Sequence, residues 1–217
     1  MTGVIVIIVI FVVVITVSFY TDKKRREKMA AVADQMGMHF TPKDTEKAFL
    51  NLMKTFQIGQ KGNSRTASNI MQAEAGVLKT LLLDYYYQIG SGKNAQRMYQ
   101  SVAIFEQDPW QWPEILLRPE HFGDRIKSAF GKDDIDFDDS PVFSKKYFLA
   151  GPDEAQLRTF FSPDMRAFFE EHQGWYIETQ GNRILLCRQG KRRKPDQMVD
   201  FLQEGLLIKD KLEAALH

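Results

Sequence analysis

Two short stretches of this chain hold residue types that could do chemistry. The first is QIGSGKN, residues 88–94, where two glycines precede a lysine. A phosphate loop requires G-x-x-x-x-G-K-[ST] between a strand and a helix, so that helix-end N–H groups meet the phosphate. Counting back from Gly92 and Lys93 places Tyr87 where the first glycine belongs, and Asn94 replaces the hydroxyl that would hold magnesium. The following RMYQSVAIFE alternates as a strand, so Gly90 and Gly92 read as turn residues that supply positive φ. The second stretch is DDIDFDD, residues 133–139. Carboxylates at alternate positions, Asp134, Asp136 and Asp138, could hold a hard divalent cation. An EF-hand counted from Asp134 fails, because Asp139 and Lys145 stand where Gly and Glu are required. Ile135 and Phe137 alternate with the acids, so an edge segment with solvated carboxylates produces the same pattern.

The remaining candidates are thinner. His39, His121, His172 and His217 show neither H-x-x-x-H nor H-E-x-x-H spacing. Cys187 lies within ILLCR, where a small buried thiol is the ordinary reading, and as the single cysteine it closes no intramolecular disulfide. No serine sits in G-x-S-x-G. No catalytic residue and no cofactor is assigned, and the balance leans against an enzyme. Trp110 and Trp112, in DPWQWPE, share one side if extended, and form either a partner-binding patch or a cover for one end of the core. GKRRKP, residues 190–195, adds four basic residues and reads as a solvated loop, the alternative being a nucleic-acid or lipid contact. With 29 basic against 28 acidic residues the net charge is +1, so no global field favours nucleic acid.

Position must come from the surrounding elements. VIVIIVIFVVVITV, Val4 to Val17, is apolar except for one Thr, and the uncharged run covers residues 1–21. A helix of 18 residues is roughly 27 Å long, close to the hydrocarbon thickness. No basic residue precedes the run and no small-residue cleavage site follows it, so it reads as a retained anchor. The cluster Lys23, Lys24, Arg25, Arg26 and Lys28 comes next, setting topology or touching anionic head groups. The expected topology is single-pass at a bacterial inner membrane, amino terminus outside, residues 22–217 cytoplasmic.

The expected domains are an anchor at 1–21, a juxtamembrane helix or linker at 22–43 ended by Gly37, and an α+β domain at 44–217. Within it, a helix is expected at 44–54 and a strand at TFQIG. Strands follow at 69–75, 78–89, 97–106 and EILLR after Pro113. In 78–89, Leu81, Leu83, Tyr85 and Tyr87 point to one face, and Leu82, Asp84 and Tyr86 to the other. Then come a helix at 124–131, a strand at 145–151, and two helices opening at Pro152 and at Ser162–Pro163. A hairpin at 175–189 turns on Gly181 and Asn182, and a helix closes the chain. The class is α+β: an antiparallel sheet with packed helices behind an N-terminal transmembrane helix.

DIDFDDSPVFSKKYFLAGPDEAQLRTFFSPDMRAFF, Asp134 to Phe169, together with YYYQIGSGKN, resembles segments of a bacterial family of membrane-anchored proteins without assigned function. The resemblance implies an inner-membrane context and no catalytic residue. The expected function is a membrane-anchored binding or interaction module, whose partners are the lipid bilayer and either a protein or anionic lipid head groups. The alternatives are a membrane-tethered metal-dependent hydrolase using Asp134, Asp136 and Asp138, or a subunit of a larger membrane complex.

Overall fold

A computed structural model of the protein describes residues 20–120 and 134–216. The described chain begins inside helix α1, residues 20–35. Met29 and Ala33, one turn apart, are fully buried against the sheet. Gly37 ends this helix at φ 65, with Met38 N–H on the Ala33 carbonyl and Gly37 N–H on the Asp34 carbonyl. That pair of bonds is a Schellman closure, which needs the left-handed residue that glycine supplies.

Among the described residues eight strands then build one antiparallel sheet. In chain order they are β1 (His39–Lys43), β2 (Asn63–Ala75), β3 (Leu78–Ile89), β4 (Gln96–Gln107), β5 (Leu116–Pro119), β6 (Tyr147–Ala150), β7 (Tyr176–Gln180) and β8 (Arg183–Cys187). Their spatial order is β1-β2-β3-β4-β8-β7-β5-β6. β3 and β4 pair along their whole length, from Leu78 opposite Gln107 to Ile89 opposite Gln96. β8 pairs with β4 and joins the carboxy-terminal half of the chain to the amino-terminal half.

The period-two alternation of β3 sorts its side chains as the sequence predicts. Leu81, Leu83, Tyr85 and Tyr87 enter one core with Met53, Phe56 and Ile58, from two short helices, α2 (Ala48–Met53) and α3 (Gln57–Gln60). Leu82 enters the opposite core, which holds Phe105, the α1 side chains and the remaining helices. Those are α4 (Pro141–Lys146), α5 (Glu154–Phe160), α6 (Pro163–Glu171) and α7 (Met198–Glu213). Asp153 caps α5 by accepting the Gln156 N–H at 2.9 Å, and Ser162 caps α6 ahead of Pro163.

Several expectations are corrected. The expected span at 1–21 lies, but for its last two residues, outside the described residues. Among the described residues no helix is long and apolar enough to cross a membrane. Among the described residues the fold is an α+β sheet with packed helices and no helix long and apolar enough to cross a membrane, which corrects the expectation of a single-pass inner-membrane protein built on an N-terminal transmembrane helix. TFQIG contributes the short helix α3 rather than a strand, because Glu178 of β7 caps it at a distance, accepting from Gln57 N–H at 2.5 Å and Ile58 N–H at 3.3 Å. The start of the expected strand at 145–151 is helix α4, drawn in by Phe143, which is fully buried among Tyr147, Phe137 and Phe161. The expected helix at 124–131 lies outside the described residues.

Candidate anion-binding cleft

The site begins with a charge where β3 would otherwise place an apolar side chain. Asp84 shares the face of Leu82 and is buried. Across the sheet it lies opposite Ser68 of β2 and Ser101 of β4. Its carboxylate accepts two bonds from the Arg25 guanidinium, each 2.8 Å, one from the Asn69 amide at 2.9 Å and one from the Ser101 hydroxyl at 3.1 Å. Asn69 reaches it from an irregularity in β2, where the register shifts between Ser68 and Met71 and Asn69 takes φ 49. Such a bulge re-aims one side chain out of the ladder. Arg25 also donates to the Arg193 carbonyl at 2.8 Å, and Arg193 N–H donates to Ser101 Oγ at 3.0 Å. One buried carboxylate thus ties together α1, three strands and the basic loop after β8.

That knot holds open a cleft of about 780 Å³. Small-ligand sites occupy roughly 300–1,000 Å³. β1 ends at Lys43, opposite Ser68, so the amino-terminal part of β2 runs on past it and the β1–α2 connection forms a wall. Thr66, Ser68, Tyr86 and Tyr99 also line the space. Six cations face it: Arg26, Lys43, Lys47, Arg65, Arg97 and Arg192. Against them stand Asp22, Asp44 and Asp84, a surplus of three positive charges in a chain whose net charge is +1. Asp84 is already saturated by Arg25, and Asp44 accepts the Leu50 N–H at 2.7 Å. Arg65 folds back onto the carbonyls of Lys61, Gln60 and Gly62. Among the described residues, Arg26, Lys43, Lys47 and Arg97 have no carboxylate within ion-pair distance. Arg192 rests over the Tyr99 ring, 5.2 Å from its centroid, and Tyr99 packs against Tyr86 at 4.7 Å. The aromatic pair aims this arginine without neutralising it.

The residues singled out in the sequence are dispersed. Of the basic cluster, Arg25 is spent on Asp84, Arg26 faces the cleft, Lys23 lies 3.9 Å from Glu27, and Lys24 and Lys28 are exposed. Trp110 and Trp112 are each 6% exposed, with ring centroids 5.0 Å apart, and Trp110 Nε1 donates to Glu213 of α7 at 3.0 Å. Asp134 accepts the Leu149 N–H at 2.7 Å, while Asp136 and Asp138 are exposed, the backbone carbonyl of Asp136 accepting from Arg158 at 2.8 Å. Burial pushes the Asp134 carboxyl up to about 6, against the Leu149 N–H, which favours the charged form. Among the described residues no three His, Cys, Asp or Glu side chains gather as a metal set. Cys187 is fully buried, and burial pushes its thiol well up.

Two polar groups have no forecast role in the sequence. Asp84 carries a signal, a carboxylate in the core-facing register of an apolar strand. Glu178 carries none, because its partners lie at 57–58. Burial pushes the Glu178 carboxyl up while those N–H groups and the Tyr176 hydroxyl, at 2.7 Å, pull it back. Lys61 nearby is lowered by burial and by Arg118.

No family model matches the sequence, and no curated protein matches it. The fold is similar to the crystal structure of the mycobacterial trehalose monomycolate transport factor A, TtfA. The TM-score is 0.58 at 13% identity, over 89% of this chain and 93% of that chain. At that identity the likeness establishes a shared fold and nothing about ligands.

Proposed function

We propose that the protein is a binding module and that the cleft over β2, β3 and β4 takes a phosphate-bearing head group. The carrying observation is the surplus of cations with no carboxylate partner around one concave space. Like charges held together in a cleft repel, and an anion relieves that cost while its field is focused by the low-dielectric walls. Arginine suits the role because its planar fork meets phosphate oxygens two at a time. The name of the structural neighbour, a transport factor for trehalose monomycolate, accords with a lipid-facing role. The same chemistry serves a lipid head group and a soluble phosphate ester, and the test separates them.

The full-length chain is melted with inorganic phosphate, glycerol phosphate, and vesicles of phosphatidylglycerol or phosphatidylcholine. Glycerol phosphate at a hundredfold excess over Kd should raise Tm by roughly 5–10 °C. Removing the cations on both sides, Lys43→Ala and Lys47→Ala with Arg97→Ala and Arg192→Ala, should abolish the rise. Binding to phosphatidylglycerol vesicles without a response to glycerol phosphate would assign the site to a lipid surface. No response to any of them would sink the proposal.

A further inference from the structure

We infer that the ligand of this cleft carries two anionic groups, one for each of two separate cationic banks. The inference rests on the reading of the cleft as an anion site and goes on to name the class of ligand. One bank is Lys43, the last residue of β1, with Lys47 at the start of α2. The other is Arg97 on β4 with Arg192 on the basic loop. β2 and β3 lie between β1 and β4. Three inter-strand spacings of about 4.8 Å put the two backbones roughly 14 Å apart. The registers run Lys43 to Ser68, Ser68 to Asp84, and Asp84 to Ser101, and Arg97 lies four positions further along β4. That displacement adds about 13 Å along the strand, for a diagonal of roughly 19 Å. Hydrogen bonds to an anion need heavy atoms within about 3 Å. A single phosphate meets both banks only if long side chains from each side extend fully toward it, whereas two phosphates let each bank keep its own anion.

Beside the two banks the cleft also holds Arg26, Arg65 and the Arg25-paired Asp84, and its uncharged lining includes polar groups. Thr66 and Ser68 supply hydroxyls, and the Tyr86 and Tyr99 rings supply faces with a polar tip, Tyr99 being 42% exposed. Hydroxyls beside tyrosines suit a sugar or polyol, which presents both C–H faces and O–H groups. The charges agree as well. A surplus of three positive charges faces the cleft. Two phosphate monoesters carry about −1.5 to −2 each near neutral pH. The class that fits is a sugar or polyol with two phosphates held apart by the ring.

The experiment is calorimetric titration of the full-length chain with fructose 1,6-bisphosphate, fructose 6-phosphate and inorganic phosphate. The parent is compared with Lys43→Ala and Arg97→Ala. The bisphosphate should bind at least tenfold more tightly than the monophosphate. Each substitution should remove that advantage while leaving monophosphate binding at the intact bank. Both positions are exposed, so each variant without ligand should melt within about 2 °C of the parent. Equal affinity for one and two phosphates would overturn the two-bank inference and leave the single-anion reading standing. Failure of all three to bind would overturn both. A glutamate-rich peptide that outcompetes the bisphosphate would replace the small ligand by an acidic protein segment.

Discussion

At Asp84 the alternation of β3 demands an apolar side chain and meets a carboxylate. Its side chain and that of Arg25 are only 6% and 12% exposed. Replacing a buried pair by apolar residues is often neutral, whereas removing one member strands a charge. Asp84→Ala should therefore cost about 3–5 kcal/mol in urea denaturation. The double variant Arg25→Met with Asp84→Leu should recover most of that loss. A double variant as unstable as the single would show that the hydrogen bonds to Asn69 and Ser101, rather than the stranded guanidinium, set the cost. Asp134 gives a pH signature of the opposite kind. Its folded carboxyl titrates at about 6 instead of 3.8. Between those values the folded state keeps a proton that the unfolded state has released. Stability falls as pH rises through this window and stays low above it. Asn at 134 keeps an oxygen for the Leu149 N–H and cannot ionise. Asp134→Asn should nearly match the parent's Tm at pH 4 and exceed it at pH 7; an equal Tm at both would mean that Asp134 is not desolvated.

The elements divide by how local their causes are. LKTLLLDYYYQI declares β3 because period two is written in its own residues, and Gly181 with Asn182 declares the last hairpin in the same way. The short helix α3 is not local. Its amino end is satisfied by Glu178, 121 positions away, so TFQIG read by itself favours a strand. α4 likewise depends on Phe143 meeting Phe161, which no window around SKKYFLAG contains. The candidate site follows the same division. GKRRKP is legibly basic, but Arg192 faces the cleft because Arg193 is tied to Ser101, 92 positions earlier. A test at this scale is Gly59 in α3. A Cβ built there would lie 1.7 Å from the Met53 carbonyl oxygen, so α2 and α3 approach closely only over a glycine. Gly59→Ala should destabilise by about 3 kcal/mol or more, because backbone rather than a flexible side chain blocks the methyl group. Hydrogen exchange should locate the loss at 53–61 and leave β3 and β4 protected. Uniform loss across the sheet would mean that this helix pair nucleates the fold instead of decorating it.

Over the whole molecule, the charges of the folded chain matter through where they are placed. A net charge of +1 gives almost no attraction for anions at a distance. The same residues, once α1, β1, β2, β4 and the basic loop come together, put six cations against three carboxylates around one cleft, and Arg25 already takes one of those carboxylates. Attraction of that origin is local and partly open to solvent, so salt should screen it. The Debye length shrinks from about 10 Å at 0.1 M to about 3 Å at 1 M. Affinity for a phosphate ester should fall about tenfold or more between 50 mM and 500 mM sodium chloride. The Arg25–Asp84 pair is buried and shielded from ions, so the melting temperature without ligand should change little over the same range. The two readings together separate the cleft from the knot beneath it. If affinity holds constant while salt rises, shape and hydrogen bonding dominate over field, and the tyrosine and hydroxyl floor becomes the primary determinant of what binds. If the unliganded protein itself loses stability in salt, the Asp84 knot is more open to water than its burial indicates, and the cleft would widen with ionic strength.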